Sequence, residues 1–222
     1  MMPYSQAQID LFHLRALGRH ATIDEQIQWS ALSNQVDEPT FQRLFVDTPE
    51  ANSLFDPVFR LYAGAFGRVP DWHSPDGPND FDSSVHSGLW VNINALRSGL
   101  SIVDLARAFV ASDEFHHMYG TTEVSAGLIV AFYNNVLDRA PSAAEISAWL
   151  ETGLDAGQIL AGFTESPENQ VRLAAFADGK MSQIATQNFY TVDDDFPLPM
   201  DEIFSHGGST VGVAPPPPEH VF

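Results

Sequence analysis

The sequence predicts an all-α fold: an irregular helical bundle with a three-fold internal helical repeat and an extended C-terminal tail. Three observations carry this expectation. Apolar residues recur at helical spacing, alternation of the strand kind is scarce, and one order of landmarks occurs three times.

The landmarks begin with an apolar helix that ends at arginine. The three versions read Ile9-Asp-Leu-Phe-His-Leu-Arg-Ala-Leu-Gly-Arg19, Val58-Phe-Arg-Leu-Tyr-Ala-Gly-Ala-Phe-Gly-Arg68 and Ile129-Val-Ala-Phe-Tyr-Asn-Asn-Val-Leu-Asp-Arg139. A tryptophan comes after each arginine. Trp29 and Trp149 come ten residues later, whereas Trp90 comes 22 residues after Arg68, so the middle copy carries an insertion. A second apolar helix then ends in Phe45, Phe109 or Phe163, with Glu50, Glu114 or Glu168 five residues further on.

Each landmark has a physical role. Gly18 and Gly67 end the first helix because glycine accepts a left-handed backbone. Pro70 and Pro141 stop continuation, and Asp71 and Ser142 can cap the next helix. Thr48-Pro49-Glu50 and Ser166-Pro167-Glu168 read as cap, first-turn proline and acid. Ser101 caps the stretch from Ile102. Helices are therefore expected near 6–17, 22–33, 38–47, 50–67, 83–98, 102–117, 122–138, 143–152, 155–163 and 167–189. The expected domains are 1–52, 53–120 with an acidic insertion at 71–87, 121–189, and a tail at 190–222. Trp29, Trp90 and Trp149 are expected as core knobs. Arg19, Arg68 and Arg139 are expected to pair with helix-end carbonyls or with Glu50, Glu114 and Glu168.

The chain has 222 residues, enough to bury roughly 70% of its unfolded surface. With 29 acidic against 10 basic residues, its formal charge is −19. Phosphate backbones and anionic membranes repel such a surface, which argues against nucleic acid and membrane partners. Lys180 is the only lysine, so the cations are nearly all arginine forks suited to fixed pairs. No cysteine is present, which excludes disulfides and thiolate chemistry. No basic and apolar leader opens the sequence, and no 18-residue apolar run suits a membrane. Synthesis in the cytoplasm is expected, with export lacking a Sec signal or packaging into a particle.

The motif Leu61-Tyr62, Gly67-Arg68, Pro70-Asp71, Gly88-Leu89-Trp90, Gly99-Leu100-Ser101 and Ser112-Asp113-Glu114-Phe115 resembles the bacterial helical family called domain of unknown function 4214. The third segment keeps Tyr133, Arg139, Pro141, Trp149 and Ser166-Pro167-Glu168, and the first is degenerate. The resemblance covers about 50–170, and the middle segment carries most of it. Such domains recur in large secreted, surface-layer and adhesion proteins, and are distantly similar to phycobilisome linkers. The resemblance therefore implies association with surfaces, glycans or subunits rather than catalysis. Calcium-binding Gly-Gly-x-Gly-x-Asp repeats of the longer members are lacking, which favours a phage-like, gene-transfer-agent-like particle component such as a head spike or fibre.

The insertion offers candidate ligands. Asp71, Asp76, Asp80 and Asp82 supply hard oxygens suited to calcium, without EF-hand spacing. Trp72, His73 and Phe81 suit glycan stacking. The plain alternative is a solvated loop with capping acids. Asp113 and His117, four apart, could share a helix face for a metal, with a dipole-stabilising helix end as the alternative. His206-Gly-Gly-Ser209 lacks the second flanking glycine of a nucleophile elbow. No catalytic residue is assigned, and a non-enzymatic role is expected.

The tail carries Phe196, Leu198, Met200, Phe204, Val221 and Phe222, apolar anchors suited to a neighbouring subunit, beside the Pro215–Pro218 rod. The expected function is a homo-oligomeric structural or attachment protein at a particle surface or outside the cell. Its expected partners are other subunits and cell-surface polysaccharide. The alternative is a protein-only scaffold of a secreted or surface-layer assembly.

Overall fold

The computed structural model describes residues 4–71 and 88–186. Among these, all regular structure is helical. The order is α1 (Gln6–Leu17), α2 (Ile23–Ser33), α3 (Glu38–Val46), a π-helical turn (Ala51–Phe55), α4 (Asp56–Phe66), α5 (Gly88–Arg97), α6 (Ile102–Val110), α7 (Asp113–Tyr119), α8 (Ala126–Leu137), α9 (Ala143–Glu151), α10 (Ala156–Thr164) and α11 (Pro167–Thr186). None of the described helices is long and apolar enough to cross a membrane.

Local chemistry sets the boundaries. Ser5, Thr22, Ser142 and Asp155 each cap a helix in a reciprocal box with the residue three positions on: Gln8, Glu25, Glu145 and Gln158. Gly18 closes α1 at φ 64°, in the left-handed region. Asp138 takes that place after α8, at φ 53°. Aspartate tolerates this conformation better than most side-chain-bearing residues.

Helix α8 begins at Ala126 rather than near 122, behind the Ser125 cap, and two further helices differ more from expectation. The helix expected over 102–117 is broken into α6 and α7, because the Ser112 hydroxyl accepts from the Phe115 amide and starts a new helix. The helix expected over 50–67 begins as a π-helical turn, whose wider winding leaves no simple periodic signal.

The chain divides into two compact units. Among the described residues, the first comprises 4–59, 70–71, 88–99 and 174–186, and the second 60–69 and 100–173.

In the first unit, Phe12 and Phe41 are buried and Tyr4 packs between them, at 4.8 and 5.0 Å between ring centroids. Trp29 is half-buried and meets Phe41 and Phe45 edge-on at 5.5 and 5.4 Å. Such edge-to-face pairs add to the burial term. Trp90 is 4% exposed and packs on Gly18, and its Nε1 donates to the Arg15 carbonyl at 2.7 Å.

In the second unit, Phe115, Phe132 and Phe163 are fully buried. Trp149 is half-buried, stacks on Phe163 at 4.9 Å and donates to the Tyr133 hydroxyl at 3.3 Å. Tyr62 meets Phe109 edge-on at 4.8 Å. Helices α6 and α10 cross where Gly157 faces the backbone of Arg107.

The tryptophans separate the three segments. Trp29 and Trp149 both pack on the phenylalanine that ends the next apolar helix, whereas Trp90 packs on the end of α1. The expectation of three equivalent modules is therefore not met: the middle segment places its tryptophan in other surroundings.

Candidate functional site

The most ordered charge chemistry among the described residues is a set of arginine–glutamate clamps. In each, a hydroxyl residue begins a helix by accepting from the amide three positions on: Thr48 from Ala51, Ser112 from Phe115 and Ser166 from Asn169. This puts Glu50, Glu114 and Glu168 in a first helical turn, where the helix dipole favours a carboxylate. Each glutamate then receives an arginine from the end of an earlier helix.

Arg19 donates from Nε to Glu50 at 2.8 Å, and its Nη2 also reaches Glu50. The same guanidinium donates to Glu25 at 2.7 and 2.9 Å and to the His20 carbonyl at 2.9 Å. Arg68 holds Glu114 with two bonds, at 2.7 and 2.9 Å, and donates to the Val69 carbonyl. Arg139 donates to Glu168 and to Glu145, both at 2.9 Å. The three expected partners are thus the observed ones.

Further pairs go beyond that expectation. Glu25 and Glu145 are the third-position acids of capping boxes at Thr22 and Ser142. That spacing is visible in the sequence, but it does not say which arginine the acid reaches. Arg97 of α5 donates to the Leu17 carbonyl at 2.6 Å and to Glu50 at 3.2 Å. Arg60 holds Glu165 at 3.0 and 2.5 Å. Arg107 holds Asp155, the cap of α10, at 3.0 and 2.8 Å. These pairs link residues 47 to 105 positions apart, and no local signal in the sequence announces them.

The electrostatics reflect the pairing. The Arg19 guanidinium pulls the Glu25 carboxyl down to about 2, against the opposing effect of burial. Glu50 is lowered by Arg19 first and by Arg97 in addition. Arg139 pulls Glu145 down to about 2, and Arg107 lowers Asp155. Arginine stays protonated at any ordinary pH, so these groups neither give nor take protons near neutrality. Their chemistry is that of fixed charge-assisted joints.

Most of the other sequence-predicted site residues fall outside the described part of the chain. Asp71 is exposed, and its carbonyl oxygen accepts from the Leu89 amide at 2.9 Å. Trp72, His73, Asp76, Asp80, Phe81 and Asp82 lie outside the described residues. So do the tail anchors Phe196, Leu198, Met200, Phe204, Val221 and Phe222, and the loop at His206–Ser209. Asp113 and His117 are exposed on α7. Among the described residues, no three His, Asp or Glu side chains are grouped to hold a metal ion.

Residues 106–173 match the family model described as Domain of unknown function (DUF4214). This stretch is similar to that family. The matched stretch begins within α6, includes α7 to α10 and ends in α11, so it takes up most of the described part of the second unit. It holds Glu114 and the whole Arg139–Glu145–Glu168 clamp. The matched residues lie mostly in the third segment rather than in the middle one. No curated protein and no solved structure matches the chain.

Proposed function

We propose that the chain is a non-enzymatic structural or attachment protein, a component of a larger surface or phage-like assembly. One observation carries this reading. The guanidiniums of Arg19, Arg60, Arg68, Arg107 and Arg139 each hold a carboxylate from another helix or helix end, so the strongest electrostatics fix shape. The surface beside them is acidic, with Asp24, Glu38, Asp113, Glu123 and Glu151 exposed. Such a body suits presentation and assembly.

In this reading the particle is of the gene-transfer-agent-like kind, with the chain as a head spike or fibre at its surface. Trp72, His73 and Phe81 meet cell-surface polysaccharide, and Asp71, Asp76, Asp80 and Asp82 bind calcium beside them. Phe196, Leu198, Met200, Phe204, Val221 and Phe222 engage a neighbouring subunit, and copies of the chain associate with one another. Support comes from the acidity of the whole chain, the aromatic and aspartate content of 71–82, and the apolar residues of 190–222.

The test measures the mass of the full chain in solution by light scattering, with and without residues 190–222. Binding of the full chain and of Trp72→Ala to a polysaccharide array is measured in parallel, with calcium and with chelator. The expected outcome is an oligomer that needs the tail and glycan binding that needs Trp72. A monomer unaffected by truncation, together with no glycan bound, would overturn the reading. Tail-dependent assembly without glycan binding would move it to a protein-only scaffold.

A further inference from the structure

His13 lies in α1 and is 3% exposed. Its Nδ1 is 2.9 Å from the Ile9 carbonyl oxygen, one turn back. A carbonyl oxygen only accepts, so Nδ1 is assigned the proton and Nε2 of the neutral ring carries a lone pair. Nε2 is 4.0 Å from Glu25 Oε1 of α2. Two acceptors thus face each other without a hydrogen bond. Phe45 of α3 meets the ring at 5.2 Å and Trp29 of α2 at 6.5 Å, both edge-on and uncharged. The charged groups acting on His13 are Glu25 and Glu50, which favour its protonation, and Arg19, which opposes it.

The register gives this position its meaning. His13 stands six residues before Arg19, as Tyr62 stands before Arg68 and Tyr133 before Arg139. Arg68 lies over the Tyr62 ring at 5.0 Å and Arg139 over Tyr133 at 4.6 Å. Two clamps therefore rest on a residue type that does not ionise near neutral pH, and the third rests beside one that does.

We propose that His13 is an acid-responsive joint between α1 and α2. A proton on Nε2 places charge inside an aromatic enclosure and turns an acceptor into a donor facing Glu25. His13 then competes with Arg19 for that carboxylate, and the first clamp loosens while those of Arg68 and Arg139 stay closed.

Burial pushes the His13 ring below the ordinary histidine value, and the Ile9 carbonyl and the two glutamates only partly oppose it. The neutral ring is thus the one the folded state prefers. The stability it confers is complete above the unfolded value, near 6.5, and declines as pH falls from there toward the folded value.

The test tracks amide hydrogen exchange of the full chain from about pH 7.5 to 5.5, as protection factors for α2 and α9, with the His13 ring signal titrated by NMR. Helix α9 is the internal control, because its clamp rests on Tyr133. The expected result is loss of α2 protection by up to roughly tenfold per pH unit as pH falls below about 6.5. Helix α9 is unchanged, and His13→Tyr abolishes the response. Equal responses of α2 and α9, or an undiminished response in His13→Tyr, would overturn the proposal. Should His13→Tyr fail to fold, the wild-type comparison of the two helices still decides.

Discussion

Gly157 of α10 faces Arg107 of α6 so closely that a Cβ at Gly157 would lie 2.8 Å from the Arg107 Cα and 2.9 Å from its backbone nitrogen. Backbone cannot rotate away as a side chain can. In an exposed helix, Gly157→Ala would gain about 1 kcal/mol from helix propensity. Here the overlap reverses the sign, and the variant should lose about 1–3 kcal/mol in denaturant unfolding. Gly153→Ala has open space at its Cβ, but its φ of 68° makes it a separate test of strain without crowding.

The clamps should differ in strength according to exposure. Arg19 and Glu50 are 25% and 27% exposed, whereas Arg68 and Glu114 are 36% and 40%. A double-mutant cycle on Arg19 and Glu50 should give a coupling of about 1–2 kcal/mol. The same cycle on Arg68 and Glu114 should give less than about 1 kcal/mol, and less again at high salt.

A second pH transition should occur well below that of His13. Glu25 and Glu50 both have folded values lowered by Arg19. Their contribution is fully present above the unfolded carboxylate value. It is lost as pH falls from about 4.5 toward the folded value of about 2 at Glu25. Melting temperature measured between about pH 6 and 3 should drop, and Glu25→Gln should flatten the fall. A Glu25→Gln profile parallel to wild type would rule the clamp out as its cause.

Trp90→Phe should cost about 1–3 kcal/mol, because it leaves the Arg15 carbonyl without its buried donor and reduces packing on Gly18. Trp29→Phe should cost less, since the Trp29 ring is half-buried. Chemical denaturation of the two variants side by side gives the comparison.

Much of the helical order is legible in the sequence because helix ends are encoded locally. Ser5, Thr22, Ser142 and Asp155 announce starts, and Gly18 announces a stop, within a few residues of chain. The Arg19–Glu50, Arg68–Glu114 and Arg139–Glu168 pairs are legible for another reason: the same two landmarks recur in the same order. The position of Trp90 is not, because its partner, the carbonyl of Arg15, lies 75 residues away and carries no side-chain signature. The break at Ser112 is half legible: the recurring landmark ends a helix at Phe109, while the helical spacing across Ser112 favours one helix over 102–117. His13 gives no signal of its own because it occupies an apolar stripe, where it reads as one more packed ring.

Glu50 differs from Glu114 and Glu168 in being approached by two guanidiniums, those of Arg19 and Arg97. Removing an acid from a simple pair leaves a lone cation that can turn outward. Removing Glu50 would leave Arg19 to Glu25 alone and Arg97 to the Leu17 carbonyl, so two guanidiniums that share one carboxylate would share none. The joint of α1, α5 and the π-helical turn would lose its common anchor, and Arg97 would lose its carboxylate partner there.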